Sequence, residues 1–355
     1  MSQYNFYTRV LGPDAKGSAL TLEELDNSLL FLSSSIGDSS AVSQSVSAIS
    51  QSVVELTAEV LILSQSISEI EIKPLSGSNY IFVEANGTPT QNALLLSASY
   101  VAAKDLTLTP TNRFSVLVAP GKYQFTSDFI LDTQYIDVVS LTGEKDVYLI
   151  GTGSISVTAN DVYVRGIDAG NNNFEIATNL NLLKVKNCKG GDESFGGAYD
   201  PLPGAPSSPG INVAGTFIDC EGGNYSFGGN GNAYGTFINC IGGSNSFGNY
   251  CNGTFTNCVA GDESFAFNGD IEGGTMENCV GGTDSFAPIG FIKVDATLKN
   301  CTGGANSFAS GVNPINGLLF GCRLTSGDFT QSISNIQGDG KILSCINDDN
   351  TEANS

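Results

Sequence analysis

The sequence predicts an all-β main domain, a right-handed parallel β-helix, preceded by an N-terminal α-helical trimeric coiled coil. Three observations predict it. Eight of the nine cysteines recur about every 21 residues inside one repeated motif. Nine apolar residues between positions 42 and 70 keep heptad spacing without an error. Glycine supplies 43 of 355 residues with no three-residue period, which excludes collagen and implies tight turns between short strands.

The first 40 residues are expected to anchor the chain. Thr21 and Glu24 form a capping-box signature ahead of Leu25, Leu29, Leu32 and Ile36, whose spacings of four, three and four place them on one helical face. A Gly-Asp-Ser-Ser break then precedes the stalk, residues 41–73. Its register puts Val46, Val53, Val60 and Ile67 at a, and Val42, Ile49, Leu56, Leu63 and Ile70 at d. β-Branched residues at a alone suit a dimer; isoleucine entering d moves the preference to a trimer. Flanking positions are mostly Ser, Gln and Thr, so charge does little to choose the partner. These are mediocre helix formers, and the helix is expected to fold only with its copies. Residues 42–70 would form a rod of about 43 Å, stopped at Lys73-Pro74 because the residue before proline avoids the helical region.

Residues 79–181 read as the opening coils. A short amphipathic helix is expected at 90–106, followed by a β-rich run at 113–125 broken by Pro120-Gly121. Further short strands, YIDVVSL, DVYLI, SISVTA and DVYVRGI, are separated by Gly, Asn and Asp turns.

Residues 182–355 carry the repeat. NCKGGDESF begins at Asn187, DCEGGNYSF at Asp219, NCIGGSNSF at Asn239, NCVAGDESF at Asn257, NCVGGTDSF at Asn278 and NCTGGANSF at Asn300, with degenerate copies around Cys322 and Cys345. Cysteine spacings are 32, 20, 18, 21, 22, 21 and 23, the first lengthened by the loop YDPLPGAPSSPG. A leucine-rich repeat shares this period, but its leucine framework is absent and no repeat leaves room for a helix. The residue three before each cysteine is apolar (Val185, Phe217, Phe237, Phe255, Met276, Leu298, Leu319, Ile342), whereas the next is mixed and faces out. Asn is expected to turn a corner in the left-handed conformation, and the glycine pair to make the next bend. Two core columns follow. Cys188, Cys220, Cys240, Cys258, Cys279 and Cys301 point inward as small, reduced hydrophobes, and Phe195, Phe227, Phe247, Phe265, Phe286 and Phe308 stack as an aromatic column. The cysteines lack the C-x-x-C spacing of zinc sites.

Composition narrows function. Asp and Glu number 36 against 15 Lys and Arg, and the formal charge of −21 argues against nucleic acid and anionic membranes as partners. Histidine is absent, which removes His-based triads and the commonest general base. The N-terminus lacks the apolar region of a signal peptide and no stretch is long enough to span a membrane, so a soluble chain synthesised in the cytoplasm is expected. No cofactor or metal is expected.

Taken with these motifs, the chain resembles bacteriophage tail-fibre and tailspike proteins. LTLEELDNSLLFL, residues 20–32, resembles the N-terminal segment of many tail-fibre chains, and VLVAPGKY, residues 116–123, resembles the first rung of pectin-lyase-like β-helices. Anchor, coiled coil and β-helix stand in the order such fibres use. The resemblance implies a homotrimeric virion component whose N-terminus meets other virion proteins and whose β-helices point outward, contributing to host attachment through a surface glycan. Some such spikes cleave host polysaccharide with Asp/Glu pairs. The candidates here are Asp192, Glu193, Asp262, Glu263 and Asp284, but the same slots hold Asn-Tyr, Ser-Asn and Ala-Asn in other repeats, which reads as a solvated loop. Calcium binding by these carboxylates is an equal alternative. The absence of a separate C-terminal receptor domain favours a short fibre, or a head-fibre, decoration or adaptor protein.

Overall fold

The computed structural model describes residues 26–27, 29–30, 34, 44–53, 79–170, 174–196, 211–309, 314–334 and 336–353. Contacts divide the chain into two units, Met1–Glu71 and Ile72–Ser355.

In the first unit residues 44–53 are helical, and Val46, Ile49 and Val53 expose more than half of their surface. The other heptad residues, Val42, Leu56, Val60, Leu63, Ile67 and Ile70, lie outside the described residues, as do the anchor's capping box and the loop YDPLPGAPSSPG.

The second unit is a right-handed parallel β-solenoid with three faces. The first face is a 12-stranded sheet running from Tyr80–Val83 to Lys341–Leu343, all parallel and one strand per coil. In-register pairing puts Val138, Val164, Val185, Phe217, Phe237, Phe255, Met276, Leu298, Leu319 and Ile342 in one inward column. Strands of two to five residues suffice because each coil turns a corner as soon as one or two side chains have been delivered inward. The second face begins with Gly121–Phe125, Val147–Gly151 and Ile167–Asp168. It continues as single bridges through Lys189, Glu221, Ile241, Val259 and Val280 to Thr302–Gly303. The third face starts with Phe129–Leu131, Ile155–Val157 and Phe174–Ile176. After residue 210 it resumes as Asn212–Val213, Asn232–Ala233 and Tyr250–Cys251, and runs on through Ile271, Ile292, Ile315 and Ile336.

Both ends of the solenoid carry features that limit edge pairing. At the N-terminal end lies the helix Pro89–Lys104, started by the reciprocal Thr88–Gln91 capping box with Pro89 at its first turn. It buries Ala93, Leu96, Tyr100 and Ala103, and Asn92 Nδ2 donates to Lys122 O at 3.1 Å. At the other end Glu352–Ala353 folds back antiparallel on Cys345–Ile346 and occupies an edge that would otherwise be free to pair.

The opening coils fall where the strand chemistry put them. The run at 113–125 becomes Phe114–Val118 and Gly121–Phe125, separated at Pro120, which has no N–H for a ladder.

Candidate functional site

The repeat is a set of ladders, each built from one position of the motif. At the first corner Asn187, Asp219, Asn239, Asn257, Asn278 and Asn300 hold φ of 52–56°. Their side chains also bond from coil to coil: Asn239 Nδ2 donates to Asp219 Oδ1 at 3.0 Å, Asn257 to Asn239 and Asn278 to Asn257 at 3.1 Å. An amide donates and accepts at once, so it can continue such a row indefinitely.

All nine cysteines are fully buried and free of disulfides. The thiols of Cys220, Cys240, Cys258, Cys279 and Cys301 lie 3.3–3.5 Å from the carbonyls of Val185, Phe217, Phe237, Phe255 and Met276, the inward residues of the preceding coil. Burial pushes the Cys188 and Cys240 thiols well up, away from the reactive thiolate. Cys251, outside the repeat position, occupies the third face, and burial raises its thiol as well.

The phenylalanine column is continuous. Successive ring centroids from Phe195 through Phe227, Phe247, Phe265, Phe286 and Phe308 lie 4.8–4.9 Å apart, with planes within 7°. Phe217, Phe237 and Phe255 form a second stack that meets the first edge-on, at 75–86°. Every ring of the first column sits on backbone with φ of 52–62°, a region that costs a bulky residue of order 1–3 kcal/mol. Burial of a ring that size and contact with two to four others more than offset it.

The glycine pair makes its bend without positive φ; none of these glycines has it. Close approach is the reason. A Cβ on Gly242 would stand 2.6 Å from Ser246 Cβ, and one on Gly243 only 2.8 Å from the backbone nitrogen of Asn224 in the preceding coil. The serine of the motif, unexplained from sequence alone, is buried in all six copies: Ser194, Ser226, Ser246, Ser264, Ser285 and Ser307. In Ser264, Ser285 and Ser307 the hydroxyl accepts the serine N–H of the preceding coil, as in Ser246 N to Ser264 Oγ at 3.2 Å and Ser285 N to Ser307 Oγ at 3.2 Å, whereas Ser194 Oγ accepts Phe174 N.

The acidic slots lie on the surface, as expected of a solvated loop, with Asp192 and Asp262 exposed, but two of them also bond between coils. Asp192 Oδ1 accepts the backbone N–H of Asn224 at 2.7 Å, and Asp262 Oδ1 that of Thr283 at 2.7 Å. On the first of the two coils between them Asn224 Oδ1 accepts Ser244 N at 2.9 Å. Asp and Asn interchange because the position needs only an oxygen acceptor. Glu193, Glu263 and Asp284 follow one residue later, at φ of 53–60°. Among the described residues no group of three His, Cys, Asp or Glu could hold a metal ion. No family model, curated protein or solved structure matches the chain.

Two clefts mark the surface. One, about 450 Å³, has a floor of Gly190, Gly191, Gly222 and Gly223 between Asp192 and Glu221, and Lys145 pairs with Glu221 at its edge. The other, about 550 Å³, lies over the first sheet, lined by Arg113, Asp137, Asp161, Tyr163, Lys184 and Lys186 among others. There Arg113 holds Asp137 through Nε at 3.0 Å and Nη2 at 2.5 Å, and Asp161 through Nη1 at 2.5 Å; Asp137 Oδ1 also accepts Tyr163 N at 2.9 Å. These hydrogen bonds hold the Arg113 charge firmly in place.

Proposed function

We propose that this chain is a structural fibre protein of a bacteriophage virion. It is a homotrimer, joined through residues 42–70, attached to other virion proteins by its N-terminal segment, with the solenoid carried outward toward the host surface. Four unbroken heptads leading into a solenoid support a rod on a stalk rather than a compact enzyme. The observation that carries the reading is the engagement of two of the candidate carboxylates: Asp192 and Asp262 each accept a backbone N–H of the next coil. An oxygen so engaged serves register rather than proton transfer.

The test is to locate the chain in purified particles by cryo-electron microscopy, with antibody labelling of the solenoid. Threefold density beginning at the particle surface is expected. Absence of the chain from particles would refute the proposal. So would oligosaccharide release from host capsule or lipopolysaccharide that disappears on Asp284→Asn, which would make the chain a depolymerase.

A further inference from the structure

The chain has few cations, 15 Lys and Arg against 36 Asp and Glu, yet they gather in one place. Lys184 and Lys186 stand two residues apart on the outward side of one strand, and Arg165 pairs in register with Lys186 on the coil before. Arg113 lies in the same cleft, held by Asp137 and Asp161. Elsewhere on the solenoid Lys104 pairs with Asp132, Lys145 with Glu221, Lys293 with Asp270 and Glu272, and Lys299 with Glu277, whereas Lys122, Lys189 and Lys341 have no ion pair among the described residues but also no cation beside them in register. Among the described residues neither Lys184 nor Lys186 has an ion-pair partner within 4.0 Å. With Arg113, Lys184 and Lys186 set against Asp137 and Asp161, the lining keeps a net positive charge in a concave site on an acidic protein, focused by the low-dielectric walls.

We propose that this cleft binds an acidic oligosaccharide, a sugar chain bearing carboxylates. Its lining is mixed: the lysines and Thr216 supply charge and a hydroxyl, while Tyr163 and the largely exposed Leu182 offer apolar surface. Sugar rings present apolar faces and hydroxyl edges together, and an aromatic side chain beside polar groups accommodates both. Lys184 and Lys186, two residues apart on one strand, project at about 6–7 Å from each other, a spacing comparable to one sugar residue. A polyphosphate fits worse, because the net charge of −21 repels dense negative charge and the cleft itself contains two carboxylates. The inference extends the fibre reading by naming the ligand class, but binding by the full chain in solution does not depend on where the chain sits in a particle.

Titration calorimetry on the full chain with a galacturonic-acid oligomer, a dextran oligomer of equal length and inorganic phosphate tests it. The galacturonic-acid oligomer is expected to bind, to weaken at least tenfold at high salt, and to weaken at least tenfold in the Lys184→Ala/Lys186→Ala double variant. Lys299→Ala, which removes a matched cation elsewhere on the same sheet, is expected to bind as the wild type does. Both lysines point outward, so circular dichroism of the double variant should be unchanged. Equal binding of dextran, equal binding of phosphate alone, no binding of the acidic oligomer, or undiminished binding by the folded double variant would each overturn the proposal.

Discussion

Asp262 Oδ1 lies 2.7 Å from the backbone nitrogen of Thr283, one full coil away. A side chain that sequence comparison among the repeats marks as variable thus sets the register between coils. The substitution series predicts its contribution. Asp262→Ala removes the protein acceptor of the Thr283 N–H and should cost about 0.5–1.5 kcal/mol, since the bond is exposed and water can take the vacated place. Asp262→Asn should cost far less, since Asn224 fills the same role at 2.9 Å. Urea denaturation of the two variants measures this; equal losses would mean that the charge rather than the acceptor matters.

The aromatic column predicts an inversion of the usual alanine–glycine order. Phe265 stacks on Phe247 at 4.8 Å and Phe286 at 4.9 Å, and its backbone has φ of 55°. Phe265→Ala should cost about 3–5 kcal/mol by cavity formation. Phe265→Gly loses the same ring but relieves the left-handed strain, which is worth about 1 kcal/mol. The glycine variant should therefore be at least as stable as the alanine variant. Thr256→Ser, on the outward side, should stay within about 0.5 kcal/mol of wild type. Thermal unfolding ranks the three.

How far the fold was legible follows from which of its causes leave a periodic trace. The apolar residue three before each cysteine, the cysteine itself and the phenylalanine recur at fixed positions, so inward columns could be read from spacing. The Ser246–Ser264 bond and the Asp262–Thr283 bond could not: both link coils, and sequence shows a residue type but not which backbone group faces it. The cause of the glycine pair was hidden for a related reason. Glycine marks either positive φ or a close approach, and only the distance from Gly243 to the Asn224 backbone separates the two. The paired state of Asp137 with Arg113, 24 residues apart, was equally hidden, and so was the cationic cleft, because Arg113 comes to line one cleft with Lys184 and Lys186 only through the stacking of coils.

The glycine positions give a third prediction. Gly243→Ala would force a methyl group against the backbone of Asn224 and should destabilise by about 1–3 kcal/mol. Ala260, which stands in the first glycine slot of its own repeat, shows that this slot accepts a methyl when the serine adjusts; Ser264 Oγ there donates to Asp262 O at 3.1 Å. Ala260→Gly should accordingly be close to neutral. Denaturant midpoints of both variants check the asymmetry, and a Gly243→Ala chain as stable as wild type would contradict the close-packing account.

Glu175 predicts a pH dependence whose sign is set by its surroundings. Burial, and then the carboxylate of Asp128, raise its pKa above the ordinary 4.5. The folded chain therefore holds this proton more tightly than the unfolded one, so stability linked to the group is fully present below the unfolded pKa and is lost as pH rises through the folded value. Glu175→Gln removes the charged form altogether. At pH 7 the variant should melt slightly above wild type, by a modest margin because the side chain faces water and its interactions are screened. Lowering the pH to roughly 3.5, where the wild-type carboxyl is protonated in both states, should close the gap. Asp128→Asn should recover part of the same gain at pH 7 through loss of the charge repulsion, offset by weakening of the Ser154 N–H bond that Asp128 Oδ1 accepts at 2.9 Å. Calorimetric melting of wild type and Glu175→Gln from pH 3.5 to 8 measures the effect. A gap that persists unchanged at the acid end would show that shape, rather than charge, separates the two side chains.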